Sequence, residues 1–144
     1  MYMKLIYPKW RKLERQTPFY LPPHGPVVFA AALPDYVELE FTDQNVDAVN
    51  LEDKPDIVGL SIMLTAQMPK ALELAEHYRK RGIPVIAGGI SAALHKDFLM
   101  EHVDSVFVGE VEGKIHKVFE DLAKGELQPL YDYFHDFPDM HLIG

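Results

Sequence analysis

The chain has 144 residues, a net charge of −8, 48% hydrophobic residues and no cysteine. That length supports one domain with a sizeable core, and the acidic balance argues against a nucleic-acid binder. Without thiols it can hold no disulfide, thiolate zinc site, cysteine nucleophile or cysteine-bound iron–sulfur cluster of its own; no run approaches the roughly 18 apolar residues of a membrane span, and the start, MYMKLIYPKW, lacks a signal peptide's apolar core, so a cytoplasmic protein is expected.

Residues 4–7 read as a short strand closed by Pro8. Lys4, Lys9, Arg11, Lys12 and Arg15 make the start basic, which a solvated loop over residues 9–20 accounts for. Residues 27–33 are apolar on every side and read as a buried helix whose start Pro26 fixes. Val37, Leu39 and Phe41 alternate with Glu38 and Glu40, the period of a half-exposed edge strand. A polar connector over 43–54 follows, with one helical turn at 46–49.

The centre of the chain is a strand–helix–strand unit over residues 56–89. Ile57, Val58, Leu60 and Ile62 form a β-branched apolar run, as in a strand buried on both faces. Met68, Ala71, Leu72, Ala75 and Tyr78 then recur on one helical face, with Thr65 as a cap, Pro69 in the first turn and Gly82 just past the end. Val85, Ile86 and Ala87 restart a buried strand that stops at Gly88 and Gly89. Leu94 and Phe98 mark a helix over 91–100, residues 105–108 form a last strand, and Ile115, Val118, Phe119 and Leu122 line an amphipathic helix ended by Gly125. Residues 126–144 show no convincing element and read as a linker or docking arm, the end of a fragment of a longer chain; the domain proper is residues 1–125. The expected fold is a doubly wound, flavodoxin-like α/β sandwich of five parallel strands in the order 2-1-3-4-5.

In such sheets ligands bind at the carboxyl ends of the strands. The loop after the first strand, YPKWRK, has no glycine, so neither a dinucleotide fingerprint nor a phosphate-cradling loop is present. The third strand ends in Leu60-Ser61-Ile62, without the carboxylate of a phosphoacceptor. Instead, small and hydroxyl residues gather at strand ends: Gly59, Ser61, Thr65, Gly88, Gly89, Ser91 and Gly109. They would let a large, neutral ligand lie close to the backbone.

Taken together, DIVGLSIMLT…RGIPVIAGG…DSVFVGEVEG resembles the cobalamin-binding domain at the N-terminus of many radical SAM enzymes. PPHGPVVFAAAL and TDQNVDAVNLED are similar to that domain's first helix and connector, and QPLYDYFHDFPDM to the linker that enters the catalytic barrel. The resemblance spans residues 3–130. It implies cobalamin over the carboxyl edge of the sheet, with its nucleotide tail between the first and third strands. The implied cofactor-binding residues are Ser61, Met63, Thr65, Gly88, Gly89, Ser91, Gly109 and Glu110. A [4Fe–4S] cluster and S-adenosylmethionine would belong to a C-terminal radical SAM barrel, because this chain has no CxxxCxxC, and no catalytic residue is expected here.

Two departures matter. Ile90-Ser91 stand where the family often has Pro-His, and no Asp-x-His-x-x-Gly motif follows the first strand. The pattern does occur at Asp139–Gly144, but beyond the last helix, so His141 is not expected to ligate cobalt. His95 and His102 could share a helix face, yet no third metal ligand is evident, and Glu110 and Glu112 are the paired carboxylates at a loop that could touch ligand. A ligand-free docking domain of the same fold, or a binder of another small molecule such as a flavin, remain the competing readings.

Overall fold

A computed structural model of the chain describes residues 1–9, 32–44, 48–109 and 114–133. Six parallel strands form one sheet in the order β2-β1-β3-β4-β5-β6: β1 is Tyr2–Tyr7, β2 Glu38–Asp43, β3 Ile57–Ser61, β4 Val85–Gly88, β5 Ser105–Val108 and β6 Leu130–Asp132. The predicted α/β class and the predicted order of the first five strands are the ones found. The sixth strand corrects the reading of 126–144 as elementless. Three residues are too few to show a period, and β6 is held by distant partners: the Tyr131 hydroxyl donates to Asp121 at 2.7 Å, and Lys96 pairs with Asp132 at 3.1 Å.

β3 is central, flanked by β1 and β4, with Ile57, Val58, Gly59 and Leu60 all buried. Strand alternation explains why the run is apolar throughout. Val58 and Leu60 point to one face, where Ala71, Leu74, Ala75 and Tyr78 of α1 (Met68–Lys80), Ala92 of α2 (Ile90–Leu94) and Leu99 of α3 (Lys96–Leu99) close the first core. Ile57 points to the other face, against Ile115, Val118 and Phe119 at and within α4 (His116–Ala123). Truncating a buried leucine such as Leu74 to alanine would cost about 2–5 kcal/mol.

α1 follows the predicted pattern. Pro69 sits in its first turn, and Gly82 takes φ +76° so that Ile83 N–H can reach the Tyr78 carbonyl at 3.0 Å. Thr65 is not its cap: a 3-10 turn over Thr65–Gln67 intervenes, and Gln67 is the residue that precedes the helix. The helix expected over 91–100 is two short pieces broken at His95. Its inward residues are Ser91, Ala92 and Leu99, while Leu94 and Phe98, read as its apolar face, are 75% and 47% exposed.

Of the basic start read as solvated, Lys9 is exposed, Arg11, Lys12 and Arg15 lie outside the described residues, and Lys4 departs from the reading. Alternation puts it on the same face as Ile6, fully buried, where Nζ donates to Asp53 at 2.6 Å and to the Asn50 carbonyl at 2.7 Å. The Tyr78 hydroxyl donates to the same two residues, and burial first, then Asp53, raises its pKa. The helix expected at 27–33 lies outside the described residues except for Ala32 and Leu33, which pack on the second core. Half of the turn expected at 46–49 lies outside them as well, and its described residues, Ala48 and Val49, are not helical. No helix among the described residues is long and apolar enough to cross a membrane.

Candidate functional site

The strand order places a switch point between β1 and β3: from β1 the sheet runs one way to β2, and from β3 the other way to β4. In open parallel sheets a ligand site is expected at the carboxyl edge of such a switch point. The described residues at that edge are the end of β1 at Tyr7–Lys9 and the loop Ile62–Leu64 after β3.

Ser61 ends β3, half-buried and side by side with Gly88 in the register of β4. Its hydroxyl makes no hydrogen bond to a described residue, which leaves it available to a ligand. Past it, the backbone of the β3 loop is sewn to the start of α2. Ile62 N–H donates to the Gly88 carbonyl at 2.7 Å, Ser91 N–H donates to the Ile62 carbonyl at 3.0 Å, and the Thr65 and Ser91 hydroxyls lie 3.1 Å apart. Thr65 is exposed and Ser91 buried, so this hydroxyl pair runs from the surface inward.

Gly89 makes that seam possible. It adopts φ +107° and ψ 172°, a region open essentially to glycine alone. A Cβ there would lie 2.6 Å from the Ile62 carbonyl oxygen, 2.9 Å from its carbon and 3.0 Å from the Met63 sulfur. The glycine is therefore required by the protein's own backbone, before any ligand is considered. Gly88 differs: a Cβ there would meet the Phe107 carbonyl at 3.6 Å, an ordinary contact.

Of the residues singled out by sequence, the structure thus gathers Ser61, Met63, Thr65, Gly88, Gly89 and Ser91 around the ends of β3 and β4. Gly109 follows β5, exposed and at φ +120°. Glu110, Glu112 and His141 lie outside the described residues. Met63, Leu64, Ile90, Leu94 and Phe98 are exposed apolar residues on the same loop and the helices that follow β4. Hydroxyls, backbone amides and apolar side chains make a neutral surface, suited to an uncharged, amide-rich ligand of some size. No group of three histidine, cysteine or acidic side chains able to hold a metal occurs among the described residues; the His102 ring instead lies tilted against Phe98, centroids 4.7 Å apart.

Two residues of the site were missed. Gln67 is fully buried at the switch point: its Oε1 accepts from Met63 N–H and Leu64 N–H, each at 2.9 Å, and its Nε2 donates to the Pro8 carbonyl at 2.8 Å. From the other side of β1, Gln44 Oε1 accepts Lys9 N–H at 2.9 Å. A sequence signal existed only for Gln67, a polar residue at a position continuous with the apolar face of α1. Beside them, burial and then the Asp43 carboxylate raise the Tyr7 pKa.

The fold is that of a parallel α/β domain with a switch point between β1 and β3. The model of the B12 binding domain matches residues 13–118, and the chain belongs to that family. It is similar to the bacteriochlorophyllide d C-8(2)-methyltransferase of Chlorobaculum tepidum, 29% identical over 117 residues, or 81% of this chain. The chain spans about a quarter (26%) of that relative's length. No solved structure gives a significant match.

Proposed function

We propose that the chain binds cobalamin at the β1/β3 switch point, as the cofactor-holding domain of a larger enzyme that carries out methyl transfer or related radical chemistry. The observation that carries this is the B12-binding match laid over a crevice whose donors are neutral. Ser61 offers a half-buried hydroxyl with no hydrogen bond to a described residue, Gly88 keeps the neighbouring strand end low, and the Thr65–Ser91 pair and Met63 lie beside them. These residues fit a ligand rich in neutral amides, with an apolar ring system to lay against Met63 and Leu64. When bound, cobalamin would supply a cobalt centre able to carry a methyl group. The role of this chain's residues is to bind and orient: the hydroxyls accept and donate, and the exposed apolar side chains exclude water from the face they cover.

The match to the B12 binding domain over residues 13–118 favours a ligand-binding domain over the competing reading of a ligand-free docking domain. A radical SAM barrel, with its cluster and S-adenosylmethionine, belongs to this proposal as the catalytic partner of the same protein. So does cobalt without a histidine from this chain. The experiment is titration of the purified protein with hydroxocobalamin, followed by gel filtration and visible spectroscopy. A stoichiometric red complex that survives the column is the expected result, and no retained corrinoid would refute the reading. Electron paramagnetic resonance of the Co(II) form, compared with His141→Ala, tests the ligand: a nitrogen splitting lost on that substitution would make His141 the cobalt ligand.

A further inference from the structure

The peptide unit joining Pro8 to Lys9 is clamped from both sides. Its carbonyl is taken by Gln67 at 2.8 Å, from the β3 side, and its N–H by Gln44 at 2.9 Å, from the β2 side. The carboxamide of Gln67 also gathers Met63 N–H and Leu64 N–H, so a single buried side chain ties the end of β1 to the loop after β3. Ladder pairing of β1 with β3 stops at Ile6 and Leu60. Past that point Gln67 takes over the bridging of the two walls of the crevice.

We propose that Gln67 is the positioning residue of the site, a latch that presets the loop Met63–Leu64 against the end of β1 so that a ligand meets a formed crevice. For its ligand this rests on the cobalamin reading; for its mechanics it does not. The latch stays closed when ligand enters. Gln67 is fully buried and all three of its bonds are made. Opening it would strand two N–H groups and a carbonyl that a ligand at the crevice mouth could not satisfy together. A carboxamide suits this role because it is the neutral side chain that accepts two bonds on one arm and donates on the other.

The test uses two variants of the full chain. Gln67→Met keeps length and removes every polar bond. Gln67→Glu keeps the acceptor for the Met63 and Leu64 amides and sets an oxygen against the Pro8 carbonyl. Amide hydrogen exchange is read at Met63 and Leu64 without ligand, and hydroxocobalamin affinity is read alongside. Expected are faster exchange at both amides in Gln67→Met, with protection kept in Gln67→Glu, and binding about tenfold weaker in both, as when the competent loop conformation falls to about a tenth of the population. Unchanged exchange in Gln67→Met overturns the latch. Faster exchange with wild-type affinity overturns its positioning role. If the wild-type chain binds no hydroxocobalamin, the cobalamin reading falls, and the exchange pattern alone decides the latch. If Gln67→Met fails to fold, the split between kept protection and weakened binding in Gln67→Glu decides it.

Discussion

Gly89→Ala is expected to damage the protein before it damages any ligand. The added Cβ would sit 2.6 Å from the Ile62 carbonyl oxygen, so that peptide must give by about 0.8 Å to reach an ordinary contact. Doing so strains two hydrogen bonds of Ile62, to the Gly88 carbonyl at 2.7 Å and from Ser91 N–H at 3.0 Å. Each contributes about 0.5–1.5 kcal/mol net. The backbone conformation itself, φ +107°, costs a non-glycine residue about 1–3 kcal/mol. The total is about 4 kcal/mol, less than the roughly 5–15 kcal/mol stability of an ordinary domain. With a urea slope of about 2 kcal/mol/M, the unfolding midpoint should drop by about 2 M at unchanged slope. Gly88→Ala is the control. Its Cβ meets nothing nearer than 3.6 Å, so its midpoint should stay within about 0.5 M of wild type. A lowered cobalamin affinity in Gly88→Ala then reports on ligand space rather than on folding. A wild-type midpoint for Gly89→Ala would refute the reasoning, since the Ile62 seam would have moved at no cost.

The buried pair of Lys4 and Asp53 should respond asymmetrically in the same urea assay. Asp53→Ala leaves a fully buried ammonium with the Asn50 carbonyl alone and should cost about 3–5 kcal/mol. Lys4→Met should cost less, because Asp53 is 15% exposed and keeps the Tyr78 hydroxyl at 3.3 Å; the reverse order would overturn this account. Tyr131 and Asp121 set opposite pH limits on the attachment of β6. Burial, foremost, pushes the Tyr131 phenol up to about 12, so its contribution is whole below the ordinary value of 10.0 and is lost as pH rises towards 12. The Tyr131 hydroxyl and then Lys117 hold Asp121 below its ordinary 3.8, so that contribution is present above this value and lost as pH falls below it. Thermal melting of Tyr131→Phe across pH should show a shallower loss at both extremes, and slopes identical to wild type would refute the assignment.

The α/β class, the central place of β3 and the order of the first five strands were legible in the sequence because they follow from local periodicity. An apolar run with β-branched residues buries both faces, an i, i+3, i+4 stripe buries one, and a strand with alternating glutamates belongs at an edge. Which strand ends meet at the carboxyl edge was legible for the same reason, since parallel order fixes it. Three things were decided by tertiary structure alone. Lys4 sits in the core because a partner fifty residues away, Asp53, was waiting for it on the right face. β6 forms because Tyr131 and Asp132 find Asp121 and Lys96, contacts that no three-residue period announces. Gly89, singled out for ligand space, is needed as glycine by the Ile62 carbonyl in any case. The bonding partners of the two glutamine clamps belong with these. A carboxamide's worth depends on which backbone groups lie within 3 Å of it, and that is set by how separate segments pack, a distance that spacing along the chain does not encode.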